Sequence, residues 1–329
     1  MPVTPTVLSR IYWSIAVPRI TYGLQVTPVK QSGIEELEKV HRHNAEITQG
    51  LSRNIPTPTP LATLGWISMS SHIAMIKIIF LWRVLCMSGD NIYRRVTILI
   101  LSMIIKLENK NHKIPVSPVA DMYKYAKYYR LDGIIKQCLL TGNFGDFEQM
   151  KKYIKDLVWK VELTKWKGTC IMYKSLSCYV HSVSKIQMHA WWYFAKDAPH
   201  LTKNISCVMS LLMGGQPSGM QRNLSRSKCA LCESHSADTP HHVLFICEAL
   251  GWIRDVKWEN VCEKMPNALL HDIRCMSPSD KTEMLLSCFG GTYTSEWQDM
   301  YAEVVKFIYY MYKARCNAYD NLPLNEDRP

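Results

Sequence analysis

The sequence predicts a mainly α-helical protein, on three observations. Apolar residues recur at three- and four-residue intervals through most of the chain, proline and glycine separate these runs, and 47% hydrophobic against 20% charged residues is the balance of a globular protein. At 329 residues the chain has room for a good core and for two or three units.

The first run covers residues 7–17, where Val7, Leu8, Ile11, Tyr12 and Ile15 recur at helical spacing until Pro18, which is expected to end it. Residues 34–51 repeat the pattern with Ile34, Leu37, Val40, Ile47 and Leu51, and Glu35, Glu36 and Glu38 stand early in the helix, where its dipole favours acids. Pro56, Pro58 and Pro60 make residues 54–60 an extended surface connector. A strongly buried helix is expected over about 70–87 and another over 96–107, followed by a polar loop over 106–118. Residues 73–87 are broken by Lys77 and Arg83, and residues 96–105 are only ten long, so neither reaches the length of a bilayer span. They are core helices, or they lean on something outside the chain.

Residues 123–140 and 144–160 are further helical stretches separated by Gly142 and Gly145. A polar link with Lys165, Lys167 and Gly168 then leads to a helix or helix pair over 173–194 and a short helix over 206–213. Residues 216–227 form a link rich in Gly, Ser and Arg. Beyond it, helices are expected over 251–263, 279–289 and 295–316, the last with Val304, Val305, Phe307, Ile308 and Met311 as its apolar stripe and Lys306, Lys313 and Arg315 elsewhere on it.

The most informative stretch is 228–247, K-C-A-L-C-E-S-H-S-A-D-T-P-H-H-V-L-F-I-C. Cys229 and Cys232 form a C-x2-C hook that presents two sulfurs from one tight turn, and His242 and Cys247, five apart, fit a short helix that offers both from nearly one face. Asp238 and Thr239 stand where that helix needs a cap, with Pro240 in its first turn. Three soft sulfurs and one imidazole suit Zn²⁺, and four protein ligands leave no open position, so the expected role is structural. His241 is also at a spacing that permits ligation; His242 is the preferred ligand. The twelve cysteines are read as reduced thiols plus one metal site, because the chain is long and begins M-P-V-T-P-T, without a secretory pattern.

The net charge of +11 is unevenly spread. Residues 151–228 hold 13 Lys and Arg against 3 Asp and Glu, so nearly all of the excess precedes the metal-binding segment. Tyr153, Trp159, Trp166, Tyr173, Trp191, Trp192 and Tyr193 are interleaved with those lysines. Basic groups neutralise phosphates, and exposed aromatic faces stack on unpaired bases, so this region is expected to bind RNA or DNA.

The pattern of Cys229, Leu231, Cys232, Thr239, His242 and Cys247 resembles the C-terminal zinc-binding segment of non-LTR (LINE-like) retrotransposon reverse transcriptases. Residues 9–24, S-R-I-Y-W-S-I-A-V-P-R-I-T-Y-G-L, are similar to the segment after the polymerase palm of such proteins. Residues 37–85, with H-R-H-N-A, Q-G-L, P-x-P-x-P and L-G-W, are similar to the helical thumb that follows. The resemblance touches both ends of the chain and is weak in the middle. It implies a thumb-like helical bundle over 1–118, a helical basic linker region over 119–220, and a CCHC zinc knuckle with C-terminal helices over 221–329.

The residues that polymerase chemistry needs are missing. The family holds two metal ions with carboxylates, normally an adjacent aspartate pair, and this sequence has no Asp-Asp pair. It also has no G-x-x-x-x-G-K-[ST], H-E-x-x-H or G-x-S-x-G motif. His41, His43, His181 and His189 lack partners at credible spacing for catalysis and are expected to be surface or core residues.

The expectation is thus a non-catalytic remnant that grips RNA or DNA inside the cell, in cytoplasm or nucleus. Its candidate metal ligands are Cys229, Cys232, His242 and Cys247, and its candidate phosphate contacts are Lys165, Lys167, Arg222, Arg226 and Lys228. Two rivals stand beside it: a truncated reading of an active RNA-directed DNA polymerase, with the palm encoded upstream of Met1, and a helical scaffold for protein partners that zinc staples together.

Overall fold

The computed structural model describes residues 3–51, 55–173, 176, 179–180, 183–214, 229, 231–232, 239–291 and 293–320. Among them the fold is mainly α, and an isolated bridge between Leu64 and Met188 is the extent of the β structure. No described helix is long and apolar enough to cross a membrane. Two compact units form: one from Ile11–His43 and Trp66–Gly168, the other from Met1–Arg10, Asn44–Gly65 and Thr169–Pro329.

The chain opens with α1 (Pro5–Ile11), a π-helical stretch at Tyr12–Ala16 and α2 (Val17–Thr21). Pro18 does not end this run, contrary to expectation. The wider π turn, in which the Val17 amide donates to the Tyr12 carbonyl, precedes the proline and carries the chain past it. Next come α3 (Gln31–Gln49), α4 (Thr59–Thr63), α5 (Met69–Leu85), α6 (Ile92–Asn109), α7 (Pro118–Tyr128), α8 (Asp132–Thr141) and α9 (Phe147–Cys170). The proline-rich connector holds a short helix because Pro60 falls at a first-turn position, where its missing amide costs nothing.

In the unit that contains α5, this helix is the hydrophobic axis. Ile78, Leu81, Trp82 and Leu85 meet Leu101 and Ile104 of α6, Met122, Tyr123 and Ala126 of α7, and Ile154 and Val158 of α9. Lys77, buried on α5, forms an ion pair with Asp121 at 2.8 Å and donates to the Thr27 carbonyl at 2.8 Å. Two carboxylates sit at the N-terminus of α5, where free amides and the helix dipole attract them. Glu162 accepts from the Ser68 amide at 3.1 Å and the Ser71 hydroxyl at 2.5 Å, and Glu38 accepts from the Ser70 amide at 2.8 Å. His41 is a satisfied core residue, bonded to the Tyr12 hydroxyl at 2.8 Å and the Ile67 carbonyl at 3.0 Å, and stacked on Trp66.

The polar link expected at Lys165, Lys167 and Gly168 is the end of α9, which runs unbroken to Cys170. Ile154, Val158, Trp166 and Cys170 keep a buried stripe through it at intervals that are multiples of four. Of the helix or helix pair expected over 173–194, Tyr179 and Val180 are helical and α10 spans Ala190–Asp197, whereas residues 183–189 between them are not helical.

The second unit continues with α11 (Thr202–Leu212), α12 (Gly251–Lys264), α13 (Asn267–Cys275), α14 (Pro278–Leu286) and α15 (Gln298–Asp320). Helix α15 packs against α11 and α12. Its expected stripe of Val304, Val305, Phe307, Ile308 and Met311 is fully buried, and Arg315, expected off that stripe, is buried too. Trp191 and Trp192 were candidates for base stacking, but both are buried: Trp191 donates to the Leu286 carbonyl at 2.9 Å, and Trp192 donates to Gln49 Oε1 at 2.9 Å. Gln49 also accepts from the Thr63 hydroxyl and donates to the Pro60 carbonyl, so this single amide ties three chain segments together.

Candidate metal centre

Residues 240–247 build half of the centre. The Thr239 hydroxyl accepts from the His242 amide at 3.4 Å and its carbonyl accepts from the Val243 amide at 3.0 Å, which starts the turn as the sequence expects. Asp238, the other expected cap, lies outside the described residues. The turn at His242–Ile246 is π-helical, closed by the Cys247 amide donating to the His242 carbonyl at 2.7 Å. In an α-helix, residues five apart diverge by about 140°. The i to i+5 closure brings Cys247 back beneath His242.

The structure brings together Cys229, Cys232, His242 and Cys247, with their donor atoms all within 4.8 Å of one another. Cys229 Sγ and Cys247 Sγ are 3.9 Å apart, and Cys232 Sγ lies 3.4 Å from His242 Nε2. Two sulfurs held at about 2.3 Å by a tetrahedral ion stand about 3.8 Å apart, and a sulfur and an imidazole nitrogen about 3.5 Å. Two of the six donor pairs thus already have the spacing of such a tetrahedron's edges, and all six lie within 4.8 Å.

Burial, then the neighbouring Cys229 and Cys232, pushes the Cys247 thiol up to about 12. A dication entering here displaces protons from the thiols, so binding and deprotonation are one event. Burial, then His241 and Arg254, pushes His242 below its ordinary value. The ring therefore stays neutral and offers a lone pair at physiological pH. His242 Nδ1 is buried with no hydrogen-bond partner among the described residues. His241 turns away, its Nε2 bonded to the Thr239 hydroxyl at 3.1 Å.

Arg254 was not singled out in the sequence. It donates to the Phe245 carbonyl at 2.9 Å and to the Cys247 carbonyl, pinning the end of the π turn and setting a guanidinium beside the donors. A signal was present: an arginine near the start of a helix opposes the dipole and must find its partners elsewhere. Phe245 packs on Trp258 of α12 and Phe307 of α15, with ring centroids 5.1 Å and 5.8 Å away, which fixes the turn to the core.

The proposed phosphate contacts are less well placed. Lys165 is exposed and Lys167 half-buried at the end of α9, while Arg222, Arg226 and Lys228 lie outside the described residues. Trp166 is buried, and Tyr153, Tyr173 and Tyr193 are exposed. The chain thus belongs to a definite class, a mainly α protein with a compact cluster of three thiols and one imidazole suited to a metal ion. No protein-family model, curated protein or solved structure matches it.

Proposed function

We propose that the centre holds Zn²⁺ as a structural ion, and that the chain is the non-catalytic, nucleic-acid-binding part of a LINE-like retrotransposon reverse transcriptase. Three thiolates and an imidazole match the preference of zinc, and four protein donors leave no position for an activated water. When bound, the ion ties the C-x2-C turn to the π turn. One observation carries the reading: the residues that bear the family resemblance, Cys229, Cys232, His242 and Cys247, converge on one compact centre. The segment before them also holds nearly all of the net positive charge. Lys165, Lys167, Arg222, Arg226 and Lys228 then neutralise phosphates, and exposed Tyr153, Tyr173 and Tyr193 are available to stack on bases. With no adjacent aspartate pair, the role is to grip RNA or DNA in the cytoplasm or nucleus, not to extend a primer.

Fluorescence anisotropy with labelled single-stranded RNA and DNA tests this across a salt series. Log K is expected to fall linearly with log salt, by about 0.7 per neutralised phosphate, and Lys165→Glu with Lys167→Glu should lower that slope by about 1.4. Absence of binding, or binding indifferent to salt, sinks the reading. The second reading, a zinc-stapled scaffold for a protein partner, is favoured by exposed Ile246 in the ligand turn and exposed Trp252 and Val256 just after it. It predicts association that salt leaves unchanged.

A further inference from the structure

Helix α6 carries an apolar seam that its own unit does not use. Its inward residues Thr97, Leu101 and Ile104 are buried. On the outer side, Ile92, Val96, Leu99 and Met103 are 62%, 44%, 61% and 55% exposed. Their spacings of four, three and four residues are the repeat of one helix laid along another, and a solvated face has no need of it.

The seam is self-complementary. Turned end for end, Ile92 falls opposite Met103 of a second copy and Val96 opposite its Leu99, both pairs centred on the peptide between Thr97 and Ile98. The charges agree with this direction. Asp90 lies just before the seam and Lys106 just beyond it, both exposed, so an antiparallel pair sets each Lys106 beside Asp90 of the second copy. A parallel pair brings like charges together instead. Tyr93, 70% exposed, flanks the seam. Counting about 150–250 Å² for an aromatic and about 100 Å² for each aliphatic, the five side chains offer roughly 600 Å² per copy, the lower end of specific interfaces.

We propose that α6 is a self-association face on which two copies of this chain pair antiparallel through Ile92, Val96, Leu99 and Met103. The surface is independent of the metal and of any nucleic acid.

Sedimentation velocity of the full chain at micromolar concentrations tests it. The wild type is expected to dimerise reversibly, and Leu99→Glu to raise the dissociation constant at least about tenfold while circular dichroism stays unchanged, because Leu99 points to solvent. Asp90→Lys and Lys106→Asp should each weaken the dimer by about two- to fivefold, and the double exchange should restore it. The exchange also decides the matter should Leu99→Glu disturb the helix. A monomeric wild type, which leaves the seam to some other partner, overturns the proposal, as does a dimer indifferent to Leu99→Glu. Failure of the double exchange to restore association overturns the antiparallel register.

Discussion

Gly65 shows how one position can hold two chain segments in register. Its φ is +70°, and a Cβ there would stand 2.5 Å from the Met188 amide nitrogen, where Leu64 bridges to Met188 and the His189 amide donates to the Thr63 carbonyl at 2.9 Å. Gly65→Ala is therefore expected to lower stability by about 1–3 kcal/mol from backbone strain alone, read as a reduced midpoint in urea unfolding. His189 beside it makes stability depend on pH. Its Nδ1 accepts from the Trp191 amide at 3.3 Å to cap α10, and burial pushes its value down to about 4. Between about 6.5, the unfolded value, and about 4, the unfolded chain binds the proton and the folded chain does not. Stability should accordingly fall as pH drops through this window, by up to a few kcal/mol, and level off below it. His189→Asn keeps an acceptor for the cap without a titrating group, and should reduce the slope of unfolding free energy between about pH 4 and pH 6.5, leaving the part contributed by His72, whose value burial likewise pushes down to about 4.

At the scale of elements, what the sequence disclosed was local and what it concealed was tertiary. The four donors and the Thr239 cap were legible because they lie within nineteen residues, whereas the π closure was not, since nothing in the spacing of His242 and Cys247 announces the wider turn that brings them together. The continuation of α9 was hidden because Glu162 occupies the buried stripe, where it serves the N-terminus of α5, a partner far away in sequence. Trp191 and Trp192 looked like stacking platforms because nothing near them in sequence announces Leu286 or Gln49 as the acceptors that let their indoles be buried. Arg254 belongs at this scale too, since it fastens the ligand turn to α12. Arg254→Ala should weaken metal binding about 10–100-fold, measured by competition with a chromophoric chelator. Arg254→Lys keeps the charge but loses the fork that spans two carbonyls, so an intermediate loss is expected.

At the scale of the whole molecule, the division into two compact units makes loss of the proposed metal a selective perturbation. The centre belongs to the unit that holds α11 to α15, so a strong chelator should lower the thermal midpoint of one calorimetric transition and leave another in place. A single transition that shifts as a whole would show the two units to be energetically one. The aromatic distribution adds a practical consequence. Trp66, Trp82, Trp191 and Trp192 are fully enclosed, whereas Trp252 is 73% exposed five residues beyond Cys247. Acrylamide added to the native protein will therefore quench that indole first, so the chain carries its own optical reporter beside the ligand turn, needing no dye.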